Sequence, residues 1–143
     1  TFLPSQMAEM LRPWALGQQA FLDTRAVAIM EQVHSMPGQG VASSFSFGHG
    51  FGLWEGILAA LGIPYELVPA ARWKRVMMDG MGKEKGAARV RALQLFPQLS
   101  GQLGLVKHHG RAEALLLAEY RRRLGLSFRS GNSGGTIPER WSE

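Results

Sequence analysis

Three groups of side chains in this sequence have types and spacings that could do chemistry. The first is Glu31, delivered at the end of the apolar run Ala26-Val27-Ala28-Ile29-Met30. That run is short, apolar on both faces and followed by the turn Met36-Pro37-Gly38-Gln39-Gly40, so it reads as a buried strand. A carboxylate where such a strand ends stands where α/β sheets tend to meet ligands and metals. The competing reading is an acid that merely leaves the strand for solvent. The second group is His109 and Glu113, four residues apart in an apolar helical run and therefore on one face, about one turn apart. A histidine and a carboxylate placed that way can hold a divalent cation jointly, or form a plain hydrogen-bonded pair in water. His108 competes as the ligand but points elsewhere once the helix has begun. The third group is Arg72-Trp73-Lys74-Arg75, three cations around one aromatic. It reads either as a phosphate-contacting patch or as a solvated face with Trp73 in the core.

The loop after Glu31 adds to the first group. Gly38 and Gly40 free its backbone while Pro37 stiffens it, so it can approach a phosphate or a base closely. Otherwise it is a turn without a ligand. His34, three residues past Glu31, reads as a surface or hydrogen-bonded histidine.

The chain that must position these groups has 143 residues, enough for one domain with a core. Its apolar content of 45% and charged content of 19% mark it as globular rather than disordered. It has no cysteine, which excludes a disulfide framework and a thiolate metal site. No apolar run approaches the roughly 18 residues of a membrane helix, so no membrane partner is expected. Sixteen Lys and Arg against 11 acids give a formal charge of +5, which suits a polyanionic partner, nucleic acid first. The chain opens at Thr1 without an initiator Met or a signal pattern, as a processed or trimmed form would.

In order, the sequence predicts a short helix from Pro4 to Arg12, with Ser5 as cap and Pro13 closing it. Leu3, Met7, Met10 and Leu11 share one of its faces. Trp14 to Thr24 reads as a connection, with Asp23 a loop or cap residue. After the Glu31 strand, Val41 to Leu61 reads as a helix capped by Ser43 or Ser44, its second half largely buried. Its first half carries Gly48, Gly50 and Gly52. Their spacing is not that of a dinucleotide fingerprint. They cost helix stability, roughly 1 kcal/mol each against alanine, so close packing of another backbone or a bound strand is expected there.

Tyr65 to Val68 reads as a second short strand, and Pro69 as the first position of the next helix. Asp79 to Gly82 reads as a link, and Lys83-Glu84-Lys85 as the start of a helix ending before Pro97. A helix follows from Lys107, closed by Arg121-Arg122-Arg123 at its negative end. From Leu126 onward, Ser, Gly, Asn and Pro dominate. The organisation expected is a domain over 1–125 and a tail over 126–143. Strands alternating with long helices imply an α/β fold with strands laid parallel by crossovers. Two strands are too few for such a sheet, so further strands are expected in front of these.

Several blocks together resemble a known family. They are Met30-Glu31-Gln32-Val33-His34-Ser35-Met36-Pro37-Gly38-Gln39-Gly40-Val41, Phe47-Gly48-His49-Gly50-Phe51-Gly52-Leu53-Trp54, Leu61-Gly62-Ile63-Pro64-Tyr65-Glu66-Leu67-Val68-Pro69, Trp73-Lys74, Gly82-Lys83-Glu84-Lys85, Ala92-Leu93-Gln94-Leu95-Phe96-Pro97 and the run from His109 to Ala118. In type and order they resemble the RuvC-like Holliday-junction resolvases, in particular the chloroplast branch called monokaryotic chloroplast 1 and its bacterial and phage relatives. The match covers roughly Ala26 to Tyr120.

The resemblance implies a ribonuclease H-like fold of RuvC type, a mixed sheet flanked by helices. It implies a homodimer and Mg²⁺-dependent nicking of four-way DNA junctions, with Mn²⁺ as a substitute metal. Glu31 matches the family's acid on a later strand, Glu113 its last acid, and His109 the position before that acid, so all three are expected as catalytic and metal-binding residues. The family's first-strand Asp has no counterpart here, so the first hairpin is expected to be absent from this chain, whether trimmed, left outside this sequence or lost. Lys74, Arg75, Lys83, Lys85 and Arg111 are expected on DNA phosphates. Pro37, Gly38, Gln39 and Gly40 are expected at the bases, where the Gln39 amide suits a base edge. The branch implies a chloroplast, in the plastid nucleoid, and a bacterial or phage source implies cytoplasm. Two other readings stay open: a ribonuclease H-like nuclease for another nucleic acid, and a junction-binding module without catalysis.

Overall fold

Two apolar runs, each stopped by turn residues, make the sheet. In the computed structural model, which describes residues 3–15, 26–34 and 38–130, they form β1 (Ala28–Gln32) and β2 (Tyr65–Pro69). Asp23, Pro37 and residues 131–143 lie outside the described residues. The strands pair in parallel, with Glu31 opposite Val68 and Gln32 opposite Pro69. Parallel neighbours need a long crossover, and α2 (Val41–Ala60) is the helix within it. Among the described residues the sheet has these two strands. The expected parallel pair is therefore present, in an α/β chain that is mostly helical.

The described residues fall into two compact units, Thr1–Arg75 and Val76–Glu143. The first holds α1 (Pro4–Leu11), β1, α2, β2 and most of α3 (Ala70–Met77). Pro4 occupies the first turn of α1, where its missing N–H costs nothing. The cap is not Ser5 as expected. The Gln6 side chain instead accepts the Leu3 N–H at 3.1 Å. Met7 is buried and Leu58, Ile63, Val68 and Trp73 form the core. α2 packs on α1.

Several expectations for this unit need correcting. β1 is half-buried rather than buried, because one partner strand covers one edge. α2 is capped by the Gly40 backbone and not by Ser43 or Ser44. In its second half only Leu58 is buried, while Leu53, Trp54 and Ile57 are half-buried and Ala59 and Ala60 exposed. Nothing described packs against Gly48, Gly50 or Gly52, so the close backbone neighbour expected there is not seen among the described residues. Pro69 ends β2, and the helix begins one residue later.

The second unit is a helical cluster of α4 (Ala87–Leu95), α5 (Ser100–Leu103) and α6 (His109–Ser130). α4 packs on α6. Met77, Ala92, Ala112 and Leu116 are fully buried, and Leu103, Leu117 and Tyr120 nearly so. The Arg91 guanidinium donates to the Met77 carbonyl at 2.9 Å, satisfying a carbonyl that a helix end leaves without an intrahelical partner. Lys83-Glu84-Lys85 do not begin α4. Gly86 takes φ +107°, a left-handed conformation that ends a turn, and the helix starts at Ala87. α6 runs through Ser130, so Arg121, Arg122 and Arg123 lie within it rather than at its end, and the tail expected from Leu126 is helical over its first residues. No described helix is long and apolar enough to cross a membrane.

Candidate functional site

In the first unit, the parallel strands end side by side and α3 begins directly after β2. Trp73 therefore comes about one helical turn past the end of the sheet. Its ring is buried, 1% exposed, and its Nε1–H donates to Glu31 Oε2 at 2.8 Å. The acid that the sequence singles out is thus held from 42 residues away by a neutral donor. Glu31 is half-buried and lines an open cleft of about 600 Å³ with Gln32, Val33, His34, Gly38, Gln39, Phe47 and Ala70.

The loop entering α2 shapes this cleft. Gly38 takes φ +82°, which a side chain would resist. The Gln39 amide reaches forward to Ser43 Oγ at 3.4 Å in the first turn of α2. Glu31, Gly38 and Gln39 therefore share one cleft, and Gly40 follows as the cap of α2. His34 is exposed at its rim. Pro37 lies outside the described residues. Phe47 lines the cleft and is 52% exposed, and its place among the glycines of α2 does not single it out in the sequence.

α3 brings its cations to the same unit. Arg72 and Arg75 are exposed. Lys74 places Nζ 5.2 Å from the centre of the Trp73 ring, within cation–π range. The expectation that Trp73 sits in the core holds, and so does that of cations at the surface around it.

In the second unit, His109 opens α6 and Glu113 follows one turn later. His109 is exposed and Glu113 half-buried. Arg111 is exposed on the same first turn. His108 turns away from α6: its Nδ1 accepts the Leu105 N–H at 3.4 Å. Burial first, then the nearby charges of Arg111, Lys107 and Arg89, hold His108 below its ordinary value of 6.5. Its ring is thus an acceptor in a structural turn, as the start of the helix beside it implies. Lys83 and Lys85 are exposed in the turn before α4.

The carboxylate oxygens of Glu31 and Glu113 suit a hard cation, whereas the imidazole of His109 is a softer donor better matched to a transition metal. Among the described residues no group of three His, Asp or Glu stands together to hold a metal ion. Glu31 belongs to one unit, and His109 and Glu113 to the other. The described side chains thus offer donors of a kind that metals take, without a ligand set standing together among them.

Comparison with known proteins gives the class first: the chain is related to a Holliday-junction resolvase. The relative is Holliday junction resolvase MOC1, chloroplastic, of Chlamydomonas reinhardtii, 34% identical over 100 residues, or 66% of this chain. The chain spans 11% of that protein's length. No family model matches the chain. The resemblance read from the sequence blocks is therefore borne out.

Proposed function

We propose that this chain carries the nuclease chemistry of a structure-selective endodeoxyribonuclease that resolves four-way DNA junctions. The observation that supports it most is the 34% identity over 100 residues to a protein named as a Holliday junction resolvase. The two parallel strands with Glu31 on the first, between helices, agree with a ribonuclease H-like sheet that further strands complete.

In this reading Glu31, His109 and Glu113 are the catalytic and metal-binding residues, joined by an acid on a strand before β1. Mg²⁺, with Mn²⁺ as a substitute, would supply Lewis acidity to the scissile phosphate. Glu31 and Glu113 offer the hard oxygen donors such an ion takes. His109, exposed at the start of α6, moves a proton between its ring nitrogen and the attacking water or the leaving 3′ oxygen. Lys74, Arg75, Lys83, Lys85 and Arg111 bind backbone phosphates, which gives affinity without sequence preference. Gly38, Gln39 and Gly40, with Pro37 before them, reach the bases at the junction centre. The partner is four-way junction DNA, and a homodimer places two sites on a symmetric junction, so paired nicks follow from symmetry. A chloroplast setting rests on the relative's name, and a bacterial or phage source would place the chain in a cytoplasm.

The test compares nicking of a four-way junction, a plain duplex and an RNA–DNA hybrid in Mg²⁺ and in chelator. We expect Mg²⁺-dependent paired nicks in the junction alone. Equal cleavage of duplex or hybrid would replace the substrate. Tight junction binding without nicks, with an acid-bearing strand restored in front, would make the chain a binding module.

A further inference from the structure

We infer that Trp73 is the positioning residue of Glu31 and that it sets the acid and Lys74 together as one unit. This rests on the nuclease reading for its consequence, but not for its geometry. A glutamate at the end of a strand has three side-chain torsions, and a half-exposed one samples many of them. Here one oxygen, Oε2, accepts the Trp73 Nε1–H at 2.8 Å. The donor is itself immobile, because the indole is 1% exposed in the core. Fixing Oε2 orients the carboxylate and leaves Oε1 as the oxygen offered to a cation in the cleft that Glu31 lines. The indole is neutral, so it orients the acid without cancelling its charge, which an arginine would do.

The ring face serves a second purpose. Lys74 places Nζ 5.2 Å from the ring centre. A single side chain thus contacts an acid of β1 by its edge and a cation of α3 by its face. A group that orients a metal-binding side chain typically contributes 10–100-fold in metal affinity or activity. Trp73 therefore acts through Glu31 and Lys74, and does not itself touch the substrate.

The experiment separates edge from face. Trp73→Phe keeps an aromatic face and removes the N–H, whereas Trp73→Leu removes both. On the full chain, the indole N–H resonance of Trp73 is assigned in a ¹⁵N-labelled sample as the one missing from Trp73→Phe. We expect it to shift in Glu31→Ala, which removes the acceptor and leaves the indole intact, while the other tryptophan signals stay. We expect Mn²⁺ alone to broaden it, and Trp73→Phe to bind Mn²⁺ at least tenfold more weakly. In junction nicking, Trp73→Phe should lower kcat roughly 10–100-fold with KM within about twofold. Trp73→Leu should add a two- to fivefold loss of junction affinity that shrinks at high salt. An indole signal unmoved by Glu31→Ala, or unchanged kcat in Trp73→Phe, overturns the positioning role. Should the chain nick no junction even with an acid-bearing strand restored in front, the nuclease reading fails, and the indole signal and Mn²⁺ affinity still decide the role of Trp73.

Discussion

Two acids show how differently the two units treat a negative charge. Glu31 in the first unit is half-buried, faces an open cleft and is held by one neutral N–H. Glu119 in the second is 7% exposed and clamped by two arginines of its own helix. Arg122 donates to both of its oxygens, at 2.6 and 2.9 Å, and Arg123 to Oε1 at 2.8 Å. The Arg122 hydrogen bonds, opposed by burial and aided by Arg123, pull its pKa from the ordinary 4.5 to about 2. A carboxylate so compensated has nothing left for a metal. Among the described residues Glu31 has no ion pair, so those residues direct its charge without cancelling it. Orientation without neutralisation is what a ligand-binding acid requires, and neutralisation is what a buried structural acid requires.

The largest effect should fall on Glu31. Glu31→Gln keeps an oxygen for the Trp73 N–H and removes the charge. We expect junction nicking to drop at least roughly 1,000-fold, with thermal unfolding little changed. Glu113→Gln should behave alike. Glu119→Gln should do the reverse, keeping kcat at 20 °C and lowering stability. A folded Glu119→Gln without activity would erase the contrast.

That loss of stability is the second effect. Breaking a buried ion pair costs about 3–5 kcal/mol, but Arg122 and Arg123 are 60% and 40% exposed, so solvent screens them and about 1–3 kcal/mol is expected. The pH dependence sharpens it. The folded pKa of Glu119 lies below its ordinary 4.5, so its contribution is complete above about pH 4.5 and fades as pH falls toward 2. Chemical denaturation of wild type and Glu119→Gln should therefore converge between pH 4.5 and 2. A gap independent of pH would show that the ion pairs are not its source.

Smaller again is the effect expected of the cations proposed to bind phosphates. Lys83 and Lys85 are exposed in the turn before α4. The double change to Ala should weaken junction binding several-fold across all sequences and lower the salt slope by about 2. An unchanged slope would remove these lysines from the interface while leaving the roles of Glu31 and Glu119 as they are.

Much of this was legible in the sequence, for local reasons. Two apolar runs bounded by turn residues gave both strands and their parallel order, and Glu31 stood out as the acid closing the first. The link from Trp73 to Glu31 was not legible, because periodicity says nothing about pairs 42 residues apart. Arg121-Arg122-Arg123 misled for another reason. Cations suit a helix end, yet they equally reach back three and four residues, and Glu119 was there to meet them. Lys83-Glu84-Lys85 favour helix by type, and the left-handed Gly86 overrode them. The burial expected along α2 failed because its apolar residues lie on several sides, while the elements packed against it cover few of them.

The helices extend the contrast to its finest scale. α6 buries Ala112, Leu116, Leu117 and Tyr120, whereas α2 leaves Phe45 and Phe47 exposed and carries glycines that nothing described touches. An added Cβ at Gly50 or Gly52 would meet open space. Alanine there removes the entropic penalty of glycine in a helix, so each change should stabilise the chain by about 0.5–1 kcal/mol. Thermal melts of Gly50→Ala and Gly52→Ala, run with sedimentation and junction binding, read this directly. If these glycines serve only α2, melting rises and binding stays. If a second copy or DNA approaches them in the proposed assembly, melting of the free chain still rises while dimer or junction affinity falls. A fall in melting would mean that the glycines already pack closely, and α2 would then not be the open face that sets the first unit apart from the second.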